Sequence, residues 1–130
     1  RKFGKLVQDF IEEHGTDEAM QEFVDPLADL GGKVTKLSTE LGMKAMGNAD
    51  EVGAAAVDYL RICGHLVFAW FWARMAQVAL GKQDSGDAFY RAKLATARFY
   101  FAKLLPETAG LVRSVRSGVA PLMAMDEALF

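Results

Sequence analysis

The chain has 130 residues, a formal charge of −2 and a hydrophobic content of 52 %, enough for one domain with a buried core. So even a balance gives no general attraction for nucleic acid or an anionic membrane. A single cysteine, Cys63, excludes an internal disulfide and suits a reducing compartment.

The charge is unevenly spread. Residues 1–30 carry three bases against eight acids, whereas residues 82–118 carry seven bases against three acids. The simplest use of that asymmetry is internal, with an acidic first element lying near a basic later one. The opening "RKFGKL" has no initiator methionine and no signal-peptide core. It reads as a cut through a longer polypeptide.

Helical periodicity runs through almost the whole chain. A first helix over residues 2–14 is marked by Phe3, Leu6, Val7, Phe10 and Ile11. It ends at "EEHG", where Gly15 offers a left-handed cap. Thr16 is the expected N-cap of a second helix, over 17–46, with Asp17 and Glu18 in its first turn. Its seam is Met20, Phe23, Leu27, Leu30, Val34, Leu37 and Leu41, at alternating steps of three and four. Pro26 predicts a kink or a restart capped by Asp25. The Gly31–Gly32 pair either weakens the helix or permits close helix approach.

"GNAD" at 47–50 breaks the pattern, and Asn48 or Asp50 can cap a third helix over 49–80. Its inner stripe reads Val52, Ala56, Tyr59, Ile62, Cys63, Leu66, Ala69, Trp70, Ala73, Ala76 and Leu80. "GKQDSGD" turns the chain, with Asp84 or Ser85 as the next cap. A fourth helical stretch over 85–117 is divided at Pro106, which can open its second piece. A short helix or tail over 119–128 ends the chain. The expected fold is all-α: an up-down four-helix bundle with long helices, in one domain spanning 1–130.

The third helix carries the strongest functional signal. Its strictly apolar run, Leu66 to Ala73, is only eight residues, whereas a membrane span needs about 20. A stripe that begins with polar Asp58, Arg61 and His65 continues as Phe68, Trp72 and Met75, so a wet face turns dry halfway along. Phe68, Trp72 and Met75 are therefore the expected interface with another domain or subunit.

Other sites are weak. Neither His14 nor His65 has a glutamate three residues earlier, so a di-iron pattern is absent, and no metal is expected. Cys63 sits in an apolar run, with His65 on a different helical face, and reads as a small hydrophobe. Neither "LGG" at 30–32 nor "LGKQDSG" at 80–86 forms a phosphate loop. Arg113 and Arg116 suit the last turn of a helix. Arg91 and Arg98 lie seven apart on one stripe and are candidates for the rim of an anion site.

"WFWARMAQVAL", "DAFYRAKLATARFYFAKLLPET" and "LMAMDEALF" together resemble the extra C-terminal helical domain of a bacterial acyl-CoA dehydrogenase subgroup. That subgroup includes methylthiopropanoyl-CoA dehydrogenase-like and long-chain enzymes. The resemblance covers most of the chain, chiefly residues 66–130. It implies a cytoplasmic, homo-oligomeric, FAD-dependent enzyme that oxidises acyl-CoA to trans-2-enoyl-CoA and passes electrons to a flavoprotein acceptor. The catalytic glutamate would lie in preceding domains of the same chain, so no catalytic or cofactor-binding residue falls here and the fragment alone is expected to be inactive and free of FAD. The alternative is a free-standing helical-bundle interaction module, homodimerising or acting as an adaptor.

Overall fold

The computed structural model of the chain describes residues 2–47 and 49–117. Every element in them is helical. Helix α1 spans Lys2–His14 and α2 Gln21–Gly47, with a 3-10 turn at Glu18–Met20 between them. Helix α3 spans Ala49–Lys82. After a second 3-10 turn, Gln83–Ser85, come α4 over Ala88–Phe99, a π-helical turn over Tyr100–Leu104, and α5 over Glu107–Ser117. The expected terminal helix over 119–128 and the Asn48 cap lie outside the described residues.

Local chemistry sets the breaks, in several places one or two residues from where the pattern alone puts them. Asp17, not Thr16, caps the entry to α2: its carboxylate accepts the Ala19 N–H at 3.0 Å. Gln21 closes the same turn by donating from Nε2 to the Gly15 carbonyl at 2.6 Å. Gly15 is not left-handed, because Gly86 is the only described residue with positive φ. A Cβ at Gly15 would nevertheless stand 2.7 Å from the Ile11 carbonyl oxygen, so a side chain there forces the backbone to move. Asp50 lies inside α3 rather than before it.

Asp87, rather than Asp84 or Ser85, caps α4 by accepting the Phe89 N–H at 2.9 Å. Residues 83–85 are used in a tight turn that ends at Gly86, with φ 82°, a conformation that a side chain resists. The stretch expected over 85–117 is therefore three pieces. Its π turn is marked by Leu105 N–H donating to the Tyr100 carbonyl, five residues back, at 2.9 Å. Pro106 has no N–H and its ring crowds the carbonyl four residues earlier, which favours a widened turn just before it. Helix α5 starts immediately afterwards.

The core lies along α2 and α3. Phe23, Met20, Leu27, Leu37 and Ile62 are its largest fully buried side chains, and Val34 and Leu41 pack on it partly buried. Helix α2 runs unbroken through Pro26, so neither a restart nor an Asp25 cap forms. Helix α3 is the hub and packs against α2, α4 and α5, while α1 packs on α2. Apart from Ile62 and Leu66, its buried side is small: Ala55, Ala69, Ala73, Ala76 and Ala79 are all fully or nearly fully inside. Alanine lets neighbouring helices come close, at the cost of little side-chain entropy. The Gly31–Gly32 pair serves no such approach, since a Cβ at either would meet nothing within 4 Å.

Two substitutions test this account by urea unfolding. Phe23→Ala is expected to cost about 3–5 kcal/mol through cavity formation. Ala73→Leu is expected to cost about 1–3 kcal/mol through overpacking of the helix contact.

Candidate functional site

The first half of the polar stripe on α3 does not simply face water. It is tied to α5 and to the π turn. Arg61 donates through Nε to Glu107 Oε1 and through Nη2 to Oε2, the latter at 3.0 Å. The Nε2 atom of His65 lies 3.3 Å from the same carboxylate, and its Nδ1 lies 2.9 Å from the Tyr100 hydroxyl. That hydroxyl donates to the His65 carbonyl at 3.0 Å. One helical turn away, Ser114 donates to Asp58 at 2.6 Å. The fork from Arg61, aided by His65, holds the Glu107 carboxyl below its usual range. Burial, with the Glu107 charge nearby, pushes the Tyr100 phenol up.

Helix α3 turns a different stripe outward, one step round. Val57, Leu60, Phe68, Phe71 and Val78 are all exposed. They span 57–78, roughly 30 Å of helix. Phe68 keeps 57 % of its surface exposed and Phe71 45 %. Arg74 interrupts the stripe, with its guanidinium laid over the Trp70 ring at 4.7 Å from the centroid. At the end of the stripe Phe71, Met75 and Val78 meet Phe89 and Tyr90 of α4 around a cleft of about 310 Å³.

The three residues expected at an interface thus fall in different surroundings. Phe68 stands out from the surface. Met75 is half-buried and lines the cleft. Trp72 is half-buried and packs on the core. Sequence reasoning missed Val57, Leu60, Phe71 and Val78. Their three-and-four spacing was visible, but α3 is apolar on both sides and periodicity alone does not say which side is out.

Arg91 and Arg98 differ as well. Arg98 is committed to α2, donating through Nε to Glu22 at 2.8 Å and through Nη2 at 3.1 Å. This joins the acidic stretch 1–30 to the basic stretch 82–118, through α2 rather than the first helix, while Arg116 meets Glu40, outside that acidic stretch, at 3.4 Å. Arg91 is exposed on α4. An anion at this rim would have to displace Glu22 to use Arg98. Among the described residues no three His, Cys, Asp or Glu side chains gather as a metal site would need.

A second surface lies on the opposite flank. An open groove of about 1060 Å³ is lined by α1, α2 and α3, with Phe3, Gly32, Ser38, Tyr59 and Cys63 among its walls. Tyr59 and Ser38 share a hydrogen bond across it, and burial raises the Tyr59 phenol above its usual value.

Comparison with known proteins gives a consistent picture. Residues 3–126 match the family described as "Acetyl-CoA dehydrogenase C-terminal like". The broad-specificity linear acyl-CoA dehydrogenase FadE5 of Mycobacterium tuberculosis is 34 % identical over 89 residues. That match takes in 62 % of this chain and 14 % of the relative, so the chain spans only a small part of the relative's length.

The Glu107 cluster has a pH signature. A carboxyl held below its usual range stabilises the fold above that range, and the contribution is lost as pH falls through its folded value. Glu107→Gln is therefore expected to melt below the parent at about pH 7, with the gap closing toward about pH 3. Thermal unfolding across that range reads it. A gap unchanged at the acid end would show that the carboxylate charge is not what joins α3 to α5.

Proposed function

Because this chain belongs to the acetyl-CoA dehydrogenase C-terminal like family, we propose that it is the accessory helical domain of an FAD-dependent acyl-CoA dehydrogenase, with the outward face of α3 docked on preceding domains of the same polypeptide. The bundle is read as up-down, a reading supported by the Ser38–Tyr59 bond across α2 and α3 and by the short turns between helices. The complete enzyme is a cytoplasmic homo-oligomer that converts an acyl-CoA to its trans-2-enoyl-CoA and hands electrons to a flavoprotein.

FAD, when bound, supplies the hydride acceptor for that reaction. The described residues do not suit it. Gly31 and Gly32 sit within α2, where their N–H groups serve the helix, and the two clefts have mainly apolar walls. No step of the oxidation is therefore assigned to this chain, and the carboxylate base belongs to the preceding domains. The contribution of the bundle is mechanical. It buries an apolar face, excludes water there and braces the subunit.

The observation that carries the reading is the exposed stripe from Val57 to Val78. An apolar strip of this length on one helix, interrupted at Arg74, marks a surface meant to be covered. Phe68 and Met75 belong to the contact, with Trp72 supporting them from the core side. The spacing of the stripe also suits a second copy of the same helix, which is the rival reading as a self-associating module.

Phe71→Asp in the full polypeptide separates the two. A buried aromatic anchor is worth about 2 kcal/mol or more, so the variant is expected to loosen the domain from the rest. Faster proteolytic release of the bundle and about a tenfold loss of dehydrogenase turnover are the expected readouts. A variant that keeps both activity and protease resistance but changes from dimer to monomer would favour the self-association reading.

A further inference from the structure

The cleft between α3 and α4 joins apolar walls to cations that lack a counter-charge. Beside its apolar residues it is lined by Arg74, Gln77 and Lys93, and no described lining residue is acidic. Lys93 is half-buried on α4, with its ammonium over the Phe89 ring at 5.3 Å from the centroid. At the far end of the cleft Lys82 stands in the same way over Tyr90, at 5.6 Å. Arg74 rests on Trp70. Among the described residues none of these cations forms an ion pair with a carboxylate, whereas Arg61, Arg98 and Arg116 each meet a glutamate.

An aromatic face attracts a cation but leaves its N–H donors unused. A lysine half-buried against apolar walls therefore gains most from an anion brought into the same cleft. The volume of about 310 Å³ is at the small end of ligand pockets, which span roughly 300–1,000 Å³. It admits a single slender guest. A bare inorganic anion would leave the apolar walls wet, and a neutral chain would leave the cations unmatched.

We propose that this cleft is a binding site for a single-chain amphiphilic anion. The aliphatic body packs on Met75, Val78 and Phe89, and the oxyanion head accepts hydrogen bonds from Lys93 and Arg74. The site is built from α3 and α4 alone. It therefore does not rest on the docking reading, and it lies where the exposed stripe of α3 gives way to α4.

Decyl sulfate, decanol and decyltrimethylammonium share one chain and differ in the head group. Each is titrated, below its micelle concentration, into the full polypeptide with carbon-13 in its methionine methyl groups. The Met75 methyl, assigned through Met75→Leu, reports occupancy, and the Met20 methyl, inside the core, reports that the fold persists. The expected result is saturable movement of the Met75 signal alone. Decyl sulfate should bind at least about tenfold more tightly than decanol, and the cationic amphiphile not at all. Lys93→Gln combined with Arg74→Gln is expected to abolish the preference for sulfate over alcohol, with decanol affinity and melting temperature unchanged. Lys93→Arg, which keeps the charge, should retain it.

Equal affinity for the three head groups overturns the proposal, as does a Met75 methyl that never moves. So does a sulfate preference that survives the double variant. Flotation with anionic phospholipid vesicles, without a response to soluble decyl sulfate, would assign the face to a membrane and overturn it too. The accessory-domain reading stands or falls separately, on the proteolytic release of Phe71→Asp, which none of these titrations reads.

Discussion

Helix α3 reverses the usual division between inside and outside. From Ala69 onward its buried side is alanine, with Ala69, Ala73, Ala76 and Ala79 inside, whereas Ile62 and Leu66 are buried near its middle. Phe68 and Phe71 stand on the outside, while Trp70 and Trp72 are partly buried against the core. Small residues let α2, α4 and α5 crowd one side of a single rod. The rod then carries part of its apolar bulk, from Val57 to Val78, on a side that the described residues do not cover. Most of what is unusual here follows from that arrangement, including the alanine-rich helix contact and the exposed apolar stripe.

The polar cluster at Glu107 solves a related problem. A chain turning from α4 into α5 must pass Pro106, which cannot complete the hydrogen bond of an ordinary helix. The π turn over Tyr100–Leu104 absorbs the mismatch and keeps Tyr100 buried with its hydroxyl at His65. π turns often mark functional positions. Here the turn aligns α5 so that Glu107 meets Arg61 and Ser114 meets Asp58. The fork is solvent-exposed, so its value is more in register than in strength.

The two open surfaces differ in character. The α3 stripe is long and carries the exposed aromatics Phe68 and Phe71, the kind of residue that docking faces between folded units favour. The α1 flank is an open groove with Gly31 and Gly32 among its walls.

Much of this was legible in the residues. The all-helical class, the breaks near 15, 48 and 85, the seam from Phe23 to Leu37 and the division at Pro106 all follow from periodicity and from Gly, Pro and Asp punctuation. So does the meeting of acidic and basic regions, realised in Arg98 with Glu22. Caps were harder to place, because Thr16 and Asp17, or Ser85 and Asp87, are near-equivalent candidates and only the backbone path chooses between them. What only the tertiary structure decided is direction. The stripe through Asp58, Arg61 and His65 turned out to face α5, and the exposed side proved to be the one through Leu60 and Phe71. A helix apolar on two faces gives no preference to either. Which face is covered depends on where its neighbours lie, and that information is not local to the helix.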